Sequence, residues 1–149
     1  MRNAVKYDYP VLESVLSLLP LVDELIVVLG NSDDSTEDLL SGLCEPKLKL
    51  LHSVWDDSLR QGGRVLAEET NKGLNAVYAD ADWIFYLQAD EVIHEDDHYQ
   101  IRKAMELNLN NKKVQGLLFN YLHFYGHYRY TGDSRRWYAH EVRIVRNLP

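Results

Sequence analysis

Six consecutive residues, Trp83 to Gln88 (WIFYLQ), are apolar or aromatic almost throughout, and acidic stretches flank them on both sides. The run is strand-length and too short for a typical helix. Apolar side chains on both faces fit a strand covered on both sides, as in a parallel sheet flanked by helices. The pattern therefore predicts a strand over 83–88 in the interior of a sheet. Its apolar character stops abruptly, and Asp90, Glu91, Glu95, Asp96 and Asp97 follow, with His94 and His98 among them. Two readings of that acidic segment stay open. Carboxylates at the carboxyl end of a buried strand suit a hard cation and a phosphorylated ligand. Acidic residues also favour a helix N-terminus, which makes the same segment a solvated cap.

Strand-length runs alternate with helical periodicity along the rest of the chain. Asp8 and Pro10 signal a helix start, and Val11, Val15, Leu18 and Leu19 recur behind them at helical spacing. Pro20 ends that helix. Glu24 to Leu29 (ELIVVL) is a second buried-strand run. Gly30 to Thr36 (GNSDDST) is turn chemistry leading into a short helix, with Asp34 or Ser35 as its N-cap and Gly42 as its stop. Leu48 to Val54 reads as a third strand after a turn at Pro46. Gly62 and Gly63 precede a helix over 64–78, in which Leu66, Thr70, Gly73, Leu74 and Val77 share a face. Beyond the central strand come a polar helix over 97–109, a strand over 116–124, a tyrosine-rich basic loop over 125–136, and a closing strand over 137–146. Strands separated by helices imply an α/β fold, a mostly parallel sheet with helices on both faces.

The 149 residues are enough for one domain with a real core. A net charge of -7 argues against a nucleic-acid or anionic-membrane partner, because no basic surface dominates. It leaves room for a nucleotide, whose phosphates a bound metal can neutralise. The single cysteine, Cys44, excludes an intramolecular disulfide and fits a reducing compartment as a small buried hydrophobe. No apolar run approaches membrane-spanning length, so no transmembrane segment is expected. The opening MRNAVKYDYP lacks the apolar core of a signal peptide, and a cytoplasmic location is expected. Neither the Gly-rich dinucleotide fingerprint nor the P-loop pattern occurs.

Two motifs compete for the acidic segment. His94-Glu95-Asp96-Asp97-His98 matches H-E-x-x-H, in which two histidines on one helix face bind zinc and the glutamate activates water. Here the pattern follows the end of a strand, and Asp96 and Asp97 are better caps than helix-interior residues. A zinc metallopeptidase is thus the least favoured reading. The second motif set is a resemblance. Glu24 to Thr36 (ELIVVLGNSDDST), Val65 to Trp83 (VLAEETNKGLNAVYADADW) and Ile84 to Val92 (IFYLQADEV) together resemble, in order and spacing, the family 2 glycosyltransferases. They resemble in turn that family's second strand with its acidic turn, its Asn-x-Gly helix, and its strand ending in a metal-binding Asp-x-Asp motif.

The resemblance implies the Rossmann-like nucleotide-diphospho-sugar transferase fold. It implies transfer of a sugar from a nucleotide-sugar donor to an acceptor of unknown kind, whether saccharide, lipid-linked sugar or protein. A divalent cation, manganese or magnesium, would stabilise charge on the leaving diphosphate. It makes Asp90 a metal ligand with Glu91 beside it, and Arg64 a nucleotide contact; Arg64 reads equally as a solvated helix-start residue. The family's first acidic metal position is Gln88 here, left as a donor contact. Leu29 and Gly30 replace the usual acidic pair at the base, with Asn31, Asp33 and Asp34 as alternative substitutes. The family's first strand, which lies in mid-sheet before the Arg-Asn step seen at Arg2 and Asn3, is absent. The chain resembles a domain trimmed at both ends. A gap or unpaired edge is therefore expected in the sheet, and with it self-association. A decayed relative that binds nucleotide or sugar without turnover is the alternative.

Aromatic residues crowd the last third of the chain. Trp137 and Tyr138 are candidates to stack on an acceptor sugar, whereas Tyr121 and His123 read better as cross-strand pairs. An inverting transferase needs a carboxylate base at the acceptor hydroxyl. Glu141 is the candidate by its position after the acceptor loop; it reads alternatively as one polar position on an alternating strand.

Overall fold

In the computed structural model, which describes residues 1–59, 61–132, 134 and 136–148, the elements alternate through the first half and become strand-rich in the second. Helix α1 is Val11–Leu18, β1 is Leu25–Gly30, α2 is Thr36–Ser41 and β2 is Leu48–Ser53. Helix α3 is Arg64–Asn75, β3 is Trp83–Phe85 and α4 is His98–Asn108. The last strands are β4 Gly116–Asn120, β5 Phe124–Tyr125, β6 His127–Thr131 and β7 His140–Arg146. Asp133 and Arg135 of the expected loop lie outside the described residues.

Strand β1 shows why the first half folds as it does. Its odd side chains, Val27 and Leu29, join Ala4, Val11, Val15 and Leu40 in a core against α1 and α2. Its even side chains turn to α3, where the absence of a side chain at Gly73 lets Val28 approach: a Cβ there would lie 3.1 Å from Val28 Cγ2. The strand is thus apolar on two faces because helices cover both. It pairs in parallel with β2, Leu25 opposite Leu48 through Gly30 opposite Ser53. Each fully buried Val or Leu of this cluster contributes about 1.5–3 kcal/mol of burial.

The central strand departs from expectation. Only Trp83–Phe85 hold strand geometry, and Tyr86 to Gln88 leave it. Strand β3 pairs antiparallel with β7, which also pairs antiparallel with β4, giving the order β3-β7-β4. Strands β1 and β2 form a separate two-stranded sheet. So β3 is paired on one side alone among the described strands, rather than lying inside a continuous parallel sheet. Among the described residues, no strand pairing joins β1 to β3. The architecture is mixed α/β, with a parallel pair and an antiparallel sheet. A second core of Leu21, Ile101 and Ile144, with Trp83, Phe85 and Phe119, joins the antiparallel sheet to α4.

Two further differences concern the last third. The expected strand over 116–124 ends at Asn120, and the expected loop contains β6, which pairs with β5 across Gly126 at φ 68°. Every residue of β6 is exposed, so no apolar alternation marks it in the sequence. Among the described residues, no helix is long and apolar enough to cross a membrane.

Candidate active site

The segment after β3 is a tight turn held from three sides. The Glu91 amide donates to the Gln88 carbonyl at 3.1 Å, and the Gln88 amide donates to Glu91 Oε2 at 3.0 Å. From α1, Ser14 Oγ donates to the same Gln88 carbonyl at 3.2 Å, and Ser17 Oγ accepts from the Ile93 amide at 3.1 Å. Because the strand ends at Phe85, its alternation does not carry Gln88 and Asp90 to one face; the turn sets their directions instead. The Gln88 side-chain amide donates to the Tyr86 hydroxyl at 3.3 Å. Asp90, at the tip, is exposed.

Glu91 does not serve as a free metal ligand beside Asp90. Its Oε1 accepts from Arg143 Nη2 at 2.6 Å and from the Tyr121 hydroxyl at 2.8 Å, and its Oε2 accepts from Arg143 Nε at 3.0 Å. The side chains of Arg143 and Glu91 are only 8% and 10% exposed. The guanidinium also lies over the rings of Tyr86 and Tyr121, at 5.4 Å and 5.3 Å. Burial and then the Glu91 carboxylate push the Tyr121 hydroxyl above its ordinary value of 10.0. Burial works against the Arg143 charge, but its bond to Glu91 outweighs that and raises its pKa. The sequence shows nothing of this bidentate pair, whose members are 52 residues apart.

A consequence appears at high pH. The folded pKa of Tyr121 lies above the unfolded value, so above about pH 10 the unfolded state loses this proton first. Stability from this group is complete below pH 10 and is lost as pH rises through the folded pKa. Absorbance titration of tyrosinate should show one tyrosine ionising only with unfolding, and the lag should vanish in Tyr121→Phe.

Arg143 and Glu141 are two residues apart on β7, but the register with β4 passes from Ile144 opposite Leu117 to Val142 opposite Leu118, so Arg143 is the extra residue of a bulge. Above them lies an aromatic block. Tyr121 and His123 stack at 5.5 Å between centroids, His123 meets Trp137 at 5.0 Å, and Tyr138 sets its edge to both Tyr121 and His123. His123 Nε2 bonds the Tyr138 carbonyl at 2.6 Å. The Tyr138 hydroxyl has its pKa raised by partial burial, then by Glu91, with Asp90 and Glu141 adding to the rise against Arg143. Glu141 is half-buried and has no ion pair among the described residues. An open cleft of about 900 Å³ runs from Trp137 along the β5–β6 hairpin, lined by Tyr125, Tyr130 and Gly132 among others.

The other wall belongs to the N-terminal turn. Asn3, in left-handed conformation at φ 51°, accepts through Oδ1 from the Asp33 amide at 2.8 Å. Asp34 accepts from the Lys6 amide at 2.8 Å and the Thr36 amide at 3.0 Å. Desolvation would raise the Asp34 pKa, but these hydrogen bonds from Thr36 and Lys6 win and lower it. Asn31 accepts from Arg2 Nε through its carbonyl at 3.1 Å. Asn31, Asp33 and Asp34 thus knit the turn together. Arg2, Asn3, Trp55 and Asp57, rather than those three, line a cavity of about 1270 Å³ whose rim also includes Gln88 and Asp90. Arg2 reaches Asp57 at 3.2 Å and lies over the Trp55 ring at 5.8 Å. Arg64 stands exposed at the head of α3 and is not on that rim.

His94 is extended and caps a short turn over 95–97, its Nδ1 accepting from the Asp96 amide at 3.2 Å, whereas His98 begins α4. The H-E-x-x-H residues therefore do not lie along one helix. Among the described residues, no group of three or more His, Cys, Asp or Glu is disposed to hold a metal ion. Asp90, exposed in the turn at the cavity rim, suits a cation that arrives on a diphosphate and keeps waters, as magnesium does, rather than an all-protein cage.

The family model described as glycosyl transferase family 2 matches residues 1–139 of the chain. No curated protein and no solved structure matches it.

Proposed function

The chain belongs to glycosyl transferase family 2, and on that premise we propose a metal-assisted transfer of a sugar from a nucleoside-diphosphate donor. The donor lies in the cavity rimmed by Arg2, Trp55, Asp57 and Asp90. The acceptor lies against Tyr138 and Trp137. The observation that supports this reading is the family match over residues 1–139 together with the exposed Asp90 on the rim of the cavity that Arg2, Trp55 and Asp57 line.

Asp90 would hold the divalent cation, which when bound neutralises charge on the departing diphosphate. Trp55 offers a face for the base, and Arg2, already stacked on it, offers a cation to the ribose or phosphate side. Glu141 takes the proton of the acceptor hydroxyl as that oxygen bonds the anomeric carbon. The bond from that carbon to the diphosphate oxygen breaks, and the nucleoside diphosphate leaves with the electron pair. Attack from the face opposite the leaving group inverts the anomeric centre. Arg143 keeps Glu91 out of this chemistry and fixes the turn that presents Asp90.

Glu141→Gln keeps shape and removes the base. Donor binding by calorimetry should stay within about twofold, while transfer falls by about a hundredfold or more. Unchanged transfer would remove Glu141 from the reaction. Gln88 and the split sheet favour a second reading, a domain that binds donor without turnover. Its signature would be saturable nucleotide-sugar binding with no free nucleoside diphosphate released over a panel of acceptors.

A further inference from the structure

Two serines of α1 hold both ends of the turn that carries Asp90. Ser14 and Ser17 are three residues apart, which puts them on one side of the helix. Ser14 Oγ donates to the Gln88 carbonyl at 3.2 Å, where the turn begins. Ser17 Oγ accepts from the Ile93 amide at 3.1 Å, where it ends. The two hydroxyls act with opposite polarity. Ser17 gives its proton to the Ser14 carbonyl at 2.8 Å, which leaves its oxygen to accept from Ile93. Ser14 gives its proton to the turn itself. A carbonyl at one end and an N–H at the other are each met by the matching half of a hydroxyl.

The helix is a firm base for these bonds. Val11 and Val15 of α1 are buried in the core that also holds Val27 and Leu29 of β1. Ser14 itself is buried. The serines therefore tie the turn to the half of the fold that carries Arg2 and Trp55. Ser14, Gln88 and Asp90 line the same cavity as Arg2 and Trp55. The Gln88 carbonyl takes the Glu91 amide as well as Ser14, so both its lone pairs are engaged. In this turn a cation is therefore left the Asp90 side chain rather than the Gln88 carbonyl. We propose that Ser14 and Ser17 are positioning residues. They hold the 88–93 turn in the shape that presents Asp90 to a cation on the bound diphosphate, and they set its distance from the Arg2 and Trp55 wall. The proposal rests on the reading of Asp90 as the metal ligand. Neither serine takes part in the transfer itself.

The test compares Ser14→Ala, Ser17→Ala and Ser17→Thr with the parent. The probe is whichever of uridine, guanosine, adenosine and cytidine diphosphate binds the parent tightest, titrated by calorimetry with and without manganese. Alanine is the better helix former, so the substitutions do not weaken α1. Ser17→Ala, which removes the bond to the Ile93 amide, should weaken manganese-dependent binding about tenfold. Ser14→Ala, where the Gln88 carbonyl keeps the Glu91 amide, should weaken it about threefold. Metal-free affinity should stay within about twofold in both, because the base-side wall is untouched. Ser17→Thr keeps the hydroxyl and should restore manganese-dependent binding to within about twofold of the parent. Hydrogen exchange at Glu91 and Ile93 should quicken in the alanine variants and not in Ser17→Thr. A parent that gains affinity with manganese, beside alanine variants that gain as much, would overturn the positioning role alone. An equal fall in metal-free binding would overturn it too, since the serines would then serve only the fold. A parent that binds no tighter with manganese would overturn the reading of Asp90, and the proposal with it.

Discussion

Replacing Arg143 by methionine is expected to lower the unfolding free energy by about 3–5 kcal/mol, the cost of stranding one member of a buried ion pair. Both oxygens of Glu91 take bonds from Arg143, and a third bond to Glu91 comes from Tyr121. Methionine fills much of the same volume, so the loss is electrostatic before it is a cavity. The carboxylate is left buried with the Tyr121 hydroxyl and the Gln88 amide as its hydrogen-bond donors. Glu91→Leu should cost a similar amount, because it strands the guanidinium. The double variant should recover most of the loss, since an apolar pair of similar volume avoids both desolvation penalties. Urea unfolding of the four proteins measures the coupling directly. If the two single losses merely add, Glu91 and Arg143 do not hold the turn as a unit.

How much of this was legible in the sequence follows from how local each contact is. Helix α1 and strands β1 and β2 are written in short-range periodicity, because each buries its own apolar face against a near neighbour in the chain. The early end of β3 is not written there. Tyr86 to Gln88 are as apolar or aromatic as a strand requires, but the turn is set by Glu91, Ser14 and Ser17, two of which come from α1. The hairpin β5–β6 is invisible for another reason: tyrosines, histidine and arginine alternate on exposed faces, with no apolar row. At the site, Asp90, Glu141 and Tyr138 are named from motif and order alone, and the structure puts Asp90 on the cavity rim and Tyr138 in the aromatic block. Glu91 was misassigned as a metal ligand because its true partner, Arg143, is distant in sequence. Asn31, Asp33 and Asp34 bond within the N-terminal turn and do not line the cavity, and a turn rich in such residues looks the same in sequence whether it binds a ligand or only its own backbone. Tyr121 and His123 pack into the aromatic block from the segment between β4 and β5, not from paired strands, and Tyr121 also completes the Glu91 cluster.

Asp90→Asn should abolish manganese-dependent binding of a nucleoside diphosphate, leaving no measurable heat at protein concentrations that saturate the parent. Two carboxylates follow β3 in the turn, and the structure engages one of them fully with Arg143 and Tyr121. Of these two, Asp90 is the exposed one and lies on the cavity rim. Hard divalent cations prefer charged oxygen ligands, and an amide at this position keeps the shape while removing the charge. Gln88 is a lesser contributor: its backbone is fixed by Ser14 and Glu91, and its side chain rests on the Tyr86 hydroxyl. Gln88→Ala should therefore weaken binding only severalfold. Gln88→Asp should tighten metal binding, since it adds a second charged oxygen beside Asp90. Calorimetric titration of nucleoside diphosphate with and without manganese, on all four proteins, separates these outcomes. Because Asp90 is exposed and outside the buried pair, Asp90→Asn should unfold at the same urea concentration as the parent, so lost binding will not reflect lost fold. Parent-like binding of metal and nucleotide by Asp90→Asn would leave this acidic turn as the cap of the helix that follows it.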